Sequence, residues 1–119
     1  MHIGVDIRKS FCQATVLDDR GNIVETAKVP TDLDHLERFF CRYPGSHAVI
    51  ESNTVWEFVC EKLRSLGLDV VLANPIQVKA IAQARVKTDA VDSRTLAHLL
   101  RADLIPEAWV GPAPIRELR

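Results

Sequence analysis

The run Ile3-Gly4-Val5-Asp6-Ile7 decides how the chain reads, together with the turn cluster Asp18-Asp19-Arg20-Gly21-Asn22 and the run Ile23-Val24-Glu25-Thr26-Ala27-Lys28-Val29 behind it. Residues 3–17 are rich in strand formers and the cluster turns the chain back, so two or three antiparallel strands open the fold. Thr31 is placed to cap a helix over residues 32–42, with Leu33, Leu36, Phe39 and Phe40 at helical spacing behind an acidic first turn and Pro44-Gly45 as its stop. Residues 46–50 read as a short buried strand. Residues 54–66 read as a helix with Val55, Phe58, Val59, Leu63 and Leu66 on one stripe, Gly67 as its stop, and another buried strand over 68–73. After Asn74-Pro75 the pattern predicts a short helix over 76–83, a basic link Arg85-Val86-Lys87, and a helix from Thr88 or Asp89 to about Arg101.

The resulting order, β-β-β-α-β-α-β-α-α, implies an α/β fold. The later strands need crossover helices to run parallel, which gives a mixed sheet with helices on its faces, the ribonuclease-H-like or actin-like arrangement. With 119 residues, 47% of them hydrophobic, there is material for one modest core. Residues 1–104 form the expected domain. Residues 105–119 read as a Pro-rich linker carrying Pro106, Pro112 and Pro114, followed by the first turn of a truncated helix. Fifteen Lys and Arg against sixteen Asp and Glu leave a net charge of −1, so a polyanion must be met by a local patch. The longest uncharged stretch, residues 70–78, is far too short to cross a membrane, and no secretion signal opens the chain. Cys12, Cys41 and Cys60 lack any C-x-x-C spacing, which suits reduced core thiols in a cytoplasmic protein.

Asp6 stands inside an apolar strand, where an ionised carboxylate is costly unless a cation or donors meet it; a strand-end Asp at the sheet edge is the ordinary alternative. Glu51 ends the buried run Ala48-Val49-Ile50, at the strand edge where open α/β sheets place their sites, although a helix-capping role suits it equally. Asp89 and Asp92, placed on the last helix, share an arc of roughly 100° with Leu96, Leu99 and Leu100. An acidic first turn answering the helix dipole explains Asp89 better than Asp92. Four converging carboxylates would repel unless divalent cations lay between them, and oxygen-only ligation selects Mg²⁺ or Mn²⁺. Two such ions are the apparatus of phosphodiester cleavage and transfer.

Gly4-Val5-Asp6-Ile7-Arg8-Lys9, Val49-Ile50-Glu51-Ser52, Asn74-Pro75 with Val78-Lys79, and Lys87-Thr88-Asp89-Ala90-Val91-Asp92-Ser93 with Leu96-Ala97 resemble the N-terminal DEDD domain of insertion-sequence transposases. The family is the one numbered one hundred and ten, related to the pilin-gene invertases. The resemblance runs from Ile3 to about Pro106. It implies a ribonuclease-H-like fold similar to Holliday-junction resolvases, with Asp6, Glu51, Asp89 and Asp92 as the catalytic, metal-binding tetrad of a DNA recombinase. It also implies a C-terminal domain with a catalytic serine, beyond these 119 residues. A guide RNA from the same element in some members and a homo-oligomeric full-length protein complete what it implies. Ser52-Asn53-Thr54-Val55-Trp56 stands where the family usually has a glycine soon after the Glu.

Lys9, Lys79, Arg85, Lys87 and Arg94 are the candidate nucleic-acid contacts, each of which could equally be an ordinary solvated charge. Trp56 could stack on a base but suits a half-buried core position better, and Trp109 belongs to the tail. His2, His35, His47 and His98 share no metal-ligand spacing. Two rival readings are an actin-like sugar kinase or ATPase, whose phosphate turn needs a glycine that Ile7-Arg8-Lys9-Ser10 lacks, and a catalytically silent nucleic-acid-binding or oligomerisation module.

Overall fold

Period-two alternation sorts the first strand between two faces. In β1 (His2–Ile7) the side chains of Ile3, Val5 and Ile7 are buried in one apolar cluster, which leaves His2, Gly4 and Asp6 on the opposite face. The computed structural model describes residues 1–51, 56–88 and 91–108. β2 (Phe11–Leu17) returns antiparallel to β1, and β3 (Ile23–Pro30) antiparallel to β2, so the opening strands number three. β4 (His47–Glu51) runs parallel to β1, and β5 (Asp69–Ala73) parallel to β4. The order β3-β2-β1-β4-β5 makes one mixed sheet of five strands, as the α/β reading expects.

Helices α1 (Leu33–Phe40) and α2 (Trp56–Ser65) cover one face, closing the larger core around Leu36, Phe40, Val59 and Leu63. The cap of α1 is Asp32 rather than Thr31: its carboxylate accepts from the His35 backbone N–H at 2.9 Å. The helix also stops at Phe40, short of residue 42. Phe58, expected on the buried stripe of α2, is exposed, because that stripe centres on Val59, Cys60 and Leu63. Cys12 and Cys60 are buried as expected, whereas Cys41 is exposed at the C-cap of α1.

On the other face, α3 (Pro75–Ile81) is capped by Asn74, whose side-chain oxygen accepts from the backbone N–H of Ile76 and of Gln77 at 3.0 Å each. The expected basic link is not irregular: residues Ala82–Val86 form one π-helical turn, ended by Lys87 in the left-handed conformation at φ 60°. α4 (Ser93–Arg101) starts later than expected, packing Leu96, Ala97 and Leu99 against β1, β2 and β4. Beyond α4 the chain returns to the sheet, where Glu107 bridges Ala73 and the Ala108 N–H donates to Leu72 at 2.7 Å.

Gly4 is where α4 meets the sheet. A Cβ there would stand 2.0 Å from the Ser93 carbonyl oxygen and 2.6 Å from the Ala97 nitrogen, both backbone atoms that cannot swing aside. Beside this contact the Thr15 and Ser93 hydroxyls share a buried hydrogen bond of 2.8 Å. Gly4→Ala should therefore cost about 3 kcal/mol or more in urea unfolding by forcing α4 off β1. A cost near that of an ordinary strand Gly→Ala exchange would contradict the close packing.

Candidate active site

β1 and β4 are in register from His2 opposite His47 to Val5 opposite Ile50, so Asp6 and Glu51 come next on the two adjacent parallel strands. Both belong to the α4 face by alternation, and both are half-buried. Burial pushes the Asp6 carboxyl above its ordinary pKa; Arg8 opposes the shift, and Asp92 adds to it. Burial likewise raises Glu51, the Asp6 charge raises it further, and Arg8 pulls it back. Glu51 thus feels the charge of Asp6, and Asp6 that of Asp92. The strand ends bring Asp6 and Glu51 together, and α4 brings Asp92 within electrostatic range of Asp6.

Asp92 arrives there differently from the sequence expectation. It lies outside the helical turn, extended at φ −105° and ψ −176°, and its Oδ1 accepts from the Thr95 N–H at 2.9 Å as the N-cap of α4. The expected arc shared with Leu96, Leu99 and Leu100 therefore does not apply, because a residue that caps a helix does not follow its 100° step. Cap and site residue are compatible, since Oδ1 makes the capping bond and a carboxylate has a second oxygen. Asp89, Trp109 and the side chain of Trp56 lie outside the described residues.

Asp6 and Asp92 line one cleft of about 750 Å³, together with Arg8, Lys9, Gln13 and Arg94. The Arg8 Nη2 lies 2.9 Å from the Asp6 Oδ2, with 59% of the Arg8 side chain exposed against 15% of the Asp6 side chain. Lys9 and Arg94, expected near phosphate, are thus on the rim of the carboxylate cleft. Lys79, Arg85 and Lys87 are exposed on α3 and the π-helical segment, outside that lining. Their segment leads instead to a neighbouring cleft of about 420 Å³, where Val86 and Thr88 meet Asp92, Arg94, Thr95 and His98. Arg8 is the residue that motif reading passed over. Its signal was its position two residues beyond Asp6, which puts both on one side of an extended chain.

The donors present are carboxylate oxygens, which suit a hard divalent cation; Mg²⁺ in particular is held by one or two carboxylates with substrate phosphate and water completing its shell. Among the described residues, no three His, Cys, Asp or Glu side chains gather closely enough to hold an ion unaided. Asp6 and Glu51 would supply the protein oxygens from the strands.

The family model for IS110 DEDD transposases, described as "Transposase", matches residues 3–119. The chain belongs to that transposase family. Its activity is accordingly DNA strand cleavage and recombination, an enzyme's work on a DNA substrate, of the class that uses divalent metal ions; the sugar-kinase and silent-module readings are not favoured. A search of curated proteins finds no match. Among solved structures, Thermus thermophilus RuvC is similar at a TM-score of 0.49 and 13% identity, over 97% of the transposase chain and 85% of that one. No described helix of the transposase is long and apolar enough to cross a membrane.

Because the folded-state pKa of Glu51 is raised, the folded protein binds this proton more tightly than the unfolded chain. Its charge therefore costs stability once pH rises above the ordinary value of 4.5. Glu51→Gln should raise the melting temperature of the metal-free transposase at pH 7, and the gain should vanish as pH falls below that value. A gain that persists in acid would assign the effect to packing. At the other carboxylate, Asp92→Ala should cost about 1 kcal/mol through loss of the cap, while Asp92→Asn should stay within a few tenths, both read by chemical denaturation.

Proposed function

We propose that this domain cuts and transfers DNA strands with Asp6, Glu51, Asp89 and Asp92 as its metal-binding carboxylates, holding Mg²⁺ or Mn²⁺, two ions in the working state. The observation that carries this reading is the side-by-side placement of Asp6 and Glu51 at the ends of adjacent parallel strands, where burial makes their unneutralised charges costly. The bound cations would supply charge neutralisation at the oxygens around the reacting phosphorus. Asp6 and Glu51, fixed by strands whose backbones are hydrogen-bonded along their length, set where that charge sits. Asp92 ties the same point to α4 through its capping bond. Lys9, at the β1–β2 turn, and Arg94, on α4, both line the cleft and would hold the DNA backbone there. Lys79, Arg85 and Lys87 would meet phosphates further along, beside the second cleft.

The residues 1–104 make the catalytic domain in this reading, with a Pro-rich linker after them whose first residues stay on the sheet through Glu107. Work in the cytoplasm, a guide RNA from the same element and a homo-oligomer of the full-length protein are the further parts of the proposal that the resemblance supports.

Mn²⁺ should raise the melting temperature of the unaltered chain and do so less for Asp6→Asn, with metal-dependent nicking of DNA falling by about a hundredfold or more in that variant. An equal thermal response in both proteins would remove Asp6 from the metal site. For the outlying basic residues, Arg85→Ala combined with Lys87→Ala should flatten the slope of log affinity against log salt by about two units on duplex DNA, with little change in sequence preference. An unchanged slope would return both to ordinary surface charges.

A further inference from the structure

Arg8 stands at the turn after β1, its backbone N–H bonded to the Phe11 carbonyl at 2.8 Å, which fixes the start of its side chain. The guanidinium end reaches back to Asp6 at 2.9 Å and acts on Glu51 as well. It therefore holds, with a single positive charge, the Asp6 carboxylate on which divalent cations would draw in the metal reading. The two would compete for it, because a guanidinium beside a divalent ion is repelled by it, and a carboxylate turned toward a metal has fewer lone pairs for Arg8. More than half of the Arg8 side chain is in solvent, and the cleft it lines holds Lys9 and Arg94, so once displaced it lies among groups suited to phosphate.

We infer that Arg8 is a positioning residue that exchanges partners: it neutralises Asp6 while the site lacks metal, and moves to a phosphate of the DNA strand when cations enter. The inference rests on the metal reading of Asp6 and Glu51 given above. One guanidinium then does two tasks in sequence. It keeps the half-buried carboxylates from repelling each other in the resting protein, and it adds a bidentate donor to the substrate backbone only when the site is loaded.

The test uses Arg8→Gln and Arg8→Lys, with Mn²⁺ affinity measured by calorimetry without DNA, and binding of a short DNA duplex measured against salt in the presence of Mn²⁺. Thermal melting would first establish that both variants fold. Arg8→Gln should bind Mn²⁺ about tenfold more tightly, since a competing positive charge is gone. The same variant should bind DNA less well, with the salt slope reduced by about 0.9, one phosphate contact. Arg8→Lys, which keeps the charge without the bidentate fork, should keep the Mn²⁺ affinity and the salt slope while binding DNA somewhat more weakly than the unaltered chain. Either an unchanged Mn²⁺ affinity or an unchanged salt slope in Arg8→Gln overturns the exchange. Failure of the unaltered chain to bind Mn²⁺ at all would instead overturn the metal reading on which it rests.

Discussion

The backbone of α4 lies against Gly4 so closely that no side chain fits between them, and the position of Asp92 and of the α4 wall beside Asp6 follows from that contact. With the Ser93 carbonyl set over Gly4 and the Ser93 hydroxyl bonded to Thr15, the start of the helix is pinned across β1 and β2. Asp92, one residue earlier, is then delivered to the strand end that carries Asp6. A bulkier residue at position 4 would lift the helix and separate the carboxylates, so one missing Cβ governs both packing and chemistry.

Two opposed demands meet at the sheet edge. Packing asks for apolar residues at the ends of β1 and β4, and the strands supply them up to Val5 and Ile50. The chemistry asks for charge immediately afterwards. The structure reconciles them by half-burying Asp6, one residue before the end of β1, and Glu51, the last residue of β4, and by giving Asp6 the counter-charge of Arg8.

Much of this was legible in the sequence, for identifiable reasons. Strand alternation around Ile3, Val5 and Ile7 and the placing of Asp6 inside the first strand and of Glu51 at a strand end follow from local period and burial, and the parallel pairing of β1 with β4 follows from the intervening helix. The start of α4 did not follow. Asp89 and Asp92 fitted a helical arc numerically, yet capping chemistry placed Asp92 outside the helix, because a carboxylate three residues before a backbone N–H is satisfied better as a cap than within a turn. The same competition moved the α1 cap from Thr31 to Asp32. The π-helical turn at Ala82–Val86, with Ala82 in the core and Lys87 left-handed at its end, had no sequence signal. Arg8 escaped notice because its value lies in a contact with Asp6 that motif spacing does not rank.

The two margins of the sheet are finished unequally. Beside β5 the returning segment at Glu107 and Ala108 takes up backbone groups of Leu72 and Ala73. Among the described residues β3 pairs only with β2, leaving Ile23 and Val24 exposed on an outer strand. Such a margin invites a foreign strand to add itself, and the defences are already in place: a register shift at Val16 and Leu17 disturbs the ladder near one end, Pro30 withholds an N–H at the other, and Lys28 lies over the Phe11 ring. From the opposite side of the strand Glu25 is gripped by Arg42 and Tyr43, which leashes β3 to the end of α1. The margin is thereby kept from serving as a template for aggregation while the cleft beside it stays open to a long polyanion.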